Sequence, residues 1–123
     1  MTEREHVIGI GGIFFKSNDT PKLRAWYQTH LGIDAGEEGK VFTDGGPLVW
    51  SPFPSNTSYF APSQSPFMIN YRVRDLDKML AQLRAAGVTV DDKIQEMEGV
   101  GRFGWAMDPE GNRFELWEPT KKA

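Results

Sequence analysis

The sequence predicts an α+β fold built from two similar halves, each a strand, a helix and then further strands. Three observations carry this. Two stretches, TPKLRAWYQTHLG and DLDKMLAQLRAAG, hold apolar residues at helical spacing. Each follows a short apolar strand-like run. Each half then closes on a glycine-led turn that runs into a strand, Gly45-Gly46-Pro47-Leu48-Val49-Trp50 in the first and Gly111-Asn112-Arg113-Phe114-Glu115-Leu116 in the second. Asp19 matches Asp75 at an offset of 56 and Gly45 matches Gly111 at 66. The second half therefore carries about ten additional residues, and loop growth of that size costs little.

In chain order, residues 7–17 (VIGIGGIFFKS) suit a strand. A helix over 20–31 follows, with Thr20 as cap, Pro21 in the first turn and Gly32 as stop; its apolar stripe is Leu23, Trp26, Tyr27 and Leu31. The second half starts with a strand over 67–74 (FMINYRVR), then a helix over 76–86 capped by Asp75 and stopped at Gly87, with Leu76, Met79, Leu80 and Leu83 as its stripe. On the 67–74 strand, alternation puts Phe67, Ile69, Tyr71 and Val73 toward the helix, leaving Met68, Asn70 and Arg72 on a mixed opposite face. The turn DPEGN leads into a strand, so Arg113, Glu115 and Trp117 share one face while Phe114 and Leu116 take the other. The first half spans 7–53, a connection 54–66, and the second half 67–119. The stretch 51–66 holds four prolines and five serines, the composition of a linker. A half of about 55 residues is marginal alone, so the two bury surface against each other in a single domain over 1–123.

Composition narrows the function classes. With no cysteine there is no disulfide and no thiolate nucleophile, and the cytoplasm is the expected compartment. The N-terminal MTEREHVIGIGG lacks the pattern of a secretion signal, and no apolar run reaches the length of a membrane span. Fourteen basic against seventeen acidic residues, with no basic cluster, argue against nucleic acid as a partner; Lys121 and Lys122 read as a solvated tail. Aromatics make up 12% of the chain, enough to line a pocket for an organic ligand as well as to fill a core.

The segments KSNDTPKLRAWYQTHLGI, YRVRDLDKMLAQLRAAGVTV and GRFGWAMDPEGNRFELWEP resemble the glyoxalase, bleomycin-resistance and extradiol-dioxygenase superfamily, the vicinal oxygen chelate proteins. The most specific parts are the WY-xx-HLGI end of the first helix and the DPEGN-xx-ELWEP ending. The resemblance implies two βαβββ modules that form a cupped, barrel-like mixed sheet with helices outside and a ligand cavity inside, in a homodimer. It also implies where a divalent metal would bind: two positions per module, on its first and last strands, usually His, Glu or Gln. Those positions fall on Gly12, Val49, Met68 and Glu115. Only Glu115 is a usual ligand type, so the resemblance predicts no cofactor here, with Zn, Ni, Mn or Fe as the alternative. His6 and His30, the only histidines, lie off these positions and read as structural.

The expectation is a cavity that binds a small organic molecule without the usual metal. Phe14, Trp50, Tyr59, Phe60, Met68, Trp105 and Trp117 are the candidate walls, and Asn70, Arg72 and Glu115 the polar anchors. Trp50 and Trp105 also fit ordinary packing between modules, Arg72 could pair with Glu115, and Glu115 itself could be a solvated carboxylate. The enzymatic alternative is a glyoxalase-type lyase or isomerase, similar to lactoylglutathione lyase, or a dioxygenase, with Glu115 as catalytic base. An adaptor without a ligand would need an exposed apolar patch or a disordered motif, and neither is evident in the sequence.

Overall fold

The computed structural model describes residues 4–120, so the Lys121–Lys122 tail lies outside the described residues. Nine elements follow one another: β1 (Gly9–Ser17), α1 (Thr20–Leu31), β2 (Lys40–Phe42), β3 (Leu48–Pro54), β4 (Phe67–Arg72), α2 (Leu76–Ala85), β5 (Gln95–Met97), β6 (Gly101–Met107) and β7 (Arg113–Pro119). The seven strands form one mixed sheet in the order β2-β3-β1-β4-β7-β6-β5. The modules meet within the chain where β1 runs antiparallel to β4, and each first strand is paired in parallel with its module's last strand, β1 with β3 and β4 with β7. The second module has three strands after its helix; in the first, the strand before β2 is reduced to a single bridge between Gly36 and Gly39.

Both helices begin as backbone chemistry requires. The Asp75 carboxylate accepts from the Lys78 amide at 3.1 Å, satisfying one of the orphan amides of the first turn of α2. In α1 the cap is Asp19, which accepts from the Lys22 amide at 3.1 Å, and Thr20 becomes the first helical residue. Asp19 wins because its carboxylate is the stronger acceptor for a helix N-terminus. Gly32 ends α1 at φ 70°, a left-handed position that glycine takes without strain.

The two helices differ in how they are held. Leu76, Met79 and Leu80 of α2 are buried with Val73 and Leu116 in a core on the outer side of the sheet, with Tyr71 and Phe114 packed against it. The alternation expected for β4 and β7 is therefore the one observed. No residue of α1 is buried: Trp26 is 51% and Leu31 61% exposed, and only part of the expected stripe, chiefly Tyr27 against Trp50, meets the sheet. The second core lies on the opposite side of the sheet and contains Phe14, Phe60, Met68, Phe103, Trp105 and Trp117.

Candidate functional site

The DPEGN turn builds the approach to the site. The Asp108 carboxylate accepts from the backbone amides of Glu110 and Asn112 and from the Asn112 side-chain amide, each at 2.9 Å, which holds its pKa below the ordinary value. That clamp fixes where β7 begins and so which of its side chains face inward. Strand register then does the assembly. Glu115 lies beside Asn70 on β4 and beside Trp105 on β6, so three polar side chains stand in a row across three strands on the inner face.

Glu115 is 2% exposed, so it is no solvated carboxylate. Its Oε1 accepts from Asn70 Nδ2 at 2.6 Å and its Oε2 from Trp105 Nε1 at 2.9 Å; the Tyr59 hydroxyl also donates to Oε2. Burial raises the Glu115 pKa, and the hydrogen bonds from Tyr59, Asn70 and Trp105 and the charge of Arg113 only partly oppose that rise. The Tyr59 phenol is raised as well, by burial first and by the neighbouring Glu115 charge second. It therefore stays protonated and acts as a donor.

Of these groups, Tyr59, Asn70 and Glu115 line a cleft of about 560 Å³ on the inner face of the sheet. Phe14, Val49, Phe53, Tyr59, Phe103 and Trp117 supply apolar wall, with Asn70 and Glu115 among the polar lining. Phe103 and Trp117 stack at 5.7 Å, and Phe53 lies parallel to Tyr59 at 5.5 Å.

Several expected wall residues are placed differently. Trp50 packs against Phe15 and Tyr27 beneath α1, because alternation along β3 turns Val49, Ser51 and Phe53 inward and Trp50 outward. Phe60, Met68 and Trp105 belong to the core behind the cleft. Arg72 donates to the carbonyls of Ile10 and Gly45 at 3.3 and 3.2 Å, tying β4 to β1 and to the turn before β3. Among the described residues Glu115 has no ion-pair partner within 4.0 Å, so Arg72 is not its counter-ion. The connection from β3 to β4 is more than a spacer, since it sends Tyr59 to Glu115 and buries Phe60 completely. Phe53 and Phe103 are wall residues beyond those the sequence suggests, and Phe53 shares the phase of Val49 on one strand.

The four positions implied for a metal do not fit one. Gly12 and Val49 offer no side-chain donor, and the Met68 thioether is buried in the apolar core. Glu115 already accepts from three protein donors. Asn70 adds one amide oxygen beside it, and among the described residues no three His, Cys, Asp or Glu side chains group together. A carboxylate and one amide oxygen fall short of the coordination a divalent ion needs.

The family model of the Glyoxalase/Bleomycin resistance protein/Dioxygenase superfamily matches residues 9–116, and the chain belongs to that superfamily. Solved structures agree on the fold. Methylmalonyl-CoA epimerase from Mycobacterium tuberculosis is 19% identical with a TM-score of 0.66, covering 98% of this chain and 94% of that one. A Streptomyces coelicolor methylmalonyl-CoA epimerase variant in complex with 2-nitronate-propionyl-CoA is 17% identical with a TM-score of 0.65, covering 90% and 96%. A structure described as NAD-dependent benzaldehyde dehydrogenase from Legionella pneumophila is 14% identical with a TM-score of 0.59, covering 86% and 96%. No curated protein matches the chain.

Proposed function

We propose that this protein binds a small organic molecule in the inner cleft and does so without a divalent metal. The observation that carries the reading is the combination, at one place, of aromatic walls with a buried Asn70–Glu115–Trp105–Tyr59 network. Of the positions implied for a metal, Gly12 and Val49 carry no side-chain donor, and the Asn70 that strand register sets beside Glu115 adds only one amide oxygen. A cleft of about 560 Å³ is within the range that encloses drug-sized ligands. The chemistry supports binding over turnover, because the one candidate base, Glu115, has both oxygens engaged by protein donors. The methylmalonyl-CoA epimerases share the fold at under 20% identity, so their substrate is no guide to this cleft.

Metal analysis tests the reading. Chelator-treated protein dialysed against Zn, Ni, Mn or Fe(II) and then washed is expected to retain well under about 0.1 mole of metal per mole. Near-stoichiometric retention that disappears in Glu115→Gln would overturn it in favour of a metal-dependent lyase or isomerase.

The reading includes a homodimer in the cytoplasm. Ile10, Ile13 and Phe67 lie on the outer face of the two central strands, opposite Tyr71, Ile69 and Phe15, and each is more than a third exposed. Apolar side chains in the middle of a sheet face are a reason to expect a partner surface. Sedimentation should give twice the 13.9 kDa chain mass for wild type and a monomer for Ile13→Lys; a monomeric wild type would remove the dimer. Among the described residues no helix is long and apolar enough to cross a membrane, and the absence of cysteine suits a reducing compartment.

A further inference from the structure

The inner cleft is lined by two carboxylates, Glu38 toward solvent and Glu115 at its buried end, and its lining contains no lysine, arginine or histidine. The side chain of Arg72 passes beside Gly11, and three other cations stand over aromatic rings. Lys93 and Arg113 lie 5.9 and 5.3 Å from the ring of Trp105, and Lys16 lies 5.7 Å from the ring of Phe60. Arg72 is committed to two backbone carbonyls. An anionic ligand entering this space would leave its counter-ions in water and meet carboxylate and π faces instead.

Asn70 adds direction. Glu115 is an acceptor, so it orients the Asn70 amide with Nδ2 toward itself, and Oδ1 must point away. Asn70 is 1% exposed, and its Oδ1 has no donor among the described residues. Such an atom is costly to leave unmatched. It sits over Gly11, another cleft residue, where an added Cβ would collide with it. The absent side chain at Gly11 is what leaves room for that buried acceptor at the cleft lining.

We infer that the ligand is an organic cation: an apolar or aromatic body held by Phe14, Phe53, Phe103 and Trp117, carrying a protonated amine whose N–H groups are received by Asn70 Oδ1 and the Glu115 carboxylate. The inference rests on the cleft being the binding site, as proposed above. It excludes carboxylate, phosphate and acyl-CoA ligands as the preferred class.

Three probes with one ring separate these ideas: phenethylamine, protonated at neutral pH; phenethyl alcohol, an uncharged donor; and hydrocinnamate, an anion. Each is titrated into the full chain and followed by tryptophan fluorescence, since Trp117 lines the cleft. Phenethylamine should bind at least about tenfold more tightly than hydrocinnamate, with phenethyl alcohol between them. Glu115→Gln should abolish that preference. The new Gln amide draws Asn70 Oδ1 toward itself and turns Nδ2 to the cleft, which suits a hydroxyl but repels an ammonium. Glu38→Gln, at the exposed rim, should change affinity by less than about threefold. Hydrocinnamate binding as well as or better than phenethylamine would overturn the ligand class and leave cleft binding intact. An undiminished amine preference in Glu115→Gln would overturn the anchor assignment, and no response to any probe at millimolar concentration would overturn the binding reading itself.

Discussion

Replacing Glu115 separates a hydrogen-bonded anchor from a merely buried carboxylate. In Glu115→Ala the donors on Asn70 Nδ2, Trp105 Nε1 and Tyr59 lose their common acceptor. Each unmatched buried donor costs about 1–3 kcal/mol, and water entering from the cleft holds the total near the low end, about 3 kcal/mol. Glu115→Gln keeps an acceptor for Tyr59 and Trp105 and gains a donor for Asn70 Oδ1, so its stability should stay within about 1 kcal/mol of wild type. The two also differ in pH dependence. Burial raises the folded-state pKa of Glu115 above the ordinary 4.5, so its contribution is fully present below 4.5 and is lost as pH rises through the folded value. Wild type should therefore lose stability relative to Glu115→Gln as pH climbs from 4.5. Urea unfolding followed by tryptophan fluorescence over that range measures both quantities. An Ala variant as stable as wild type, or a wild type that gains on the Gln variant with rising pH, would refute the network or the burial argument respectively.

Three other perturbations follow from the same geometry. Tyr59→Phe removes a hydrogen bond that lowers the Glu115 pKa, so it should cost about 1 kcal/mol and push the pH-dependent loss to higher pH, read by the same unfolding series. Gly11→Ala places a Cβ against Asn70 Oδ1 and 2.9 Å from the Trp117 ring; it should destabilise by about 1–3 kcal/mol and weaken probe binding more than Glu38→Gln does, by thermal unfolding and titration. Leu80→Ala, in the core under α2, should cost about 2–5 kcal/mol, whereas Leu31→Ala at the exposed end of α1 should cost under about 0.5 kcal/mol at protein concentrations where the chain is monomeric.

What could be read from the sequence was local. Asp75, the Leu76–Met79–Leu80 stripe and the DPEGN turn each specify their element within a few residues, and the structure follows them. Period-two alternation on β4 and β7 likewise assigned Tyr71 and Leu116 outward and Asn70 and Glu115 inward. Aromatic character alone does not place Trp50; with Val49 inward, strand phase turns its neighbour toward α1. The resemblance puts the first-strand position of the second module at Met68, yet the parallel register of β4 and β7 sets Asn70 beside Glu115. Parallel pairing links residues 45 apart in the chain, and no local pattern encodes that register. Tyr59 is legible as an aromatic wall residue, while its donation to Glu115 depends on how the β3–β4 connection folds back over the sheet. The exposure of α1 was equally hidden, since an apolar stripe shows that a helix has a face to cover without showing what covers it.

The most direct test of a metal-free binding cleft is the affinity of phenethylamine for chelator-treated protein, measured with and without added Zn, Ni, Mn or Fe(II). The expected dissociation constant is the same under all conditions, because the proposed anchor consists of Asn70 and Glu115 alone. Binding that appears only when one of these metals is added would contradict the account at its centre.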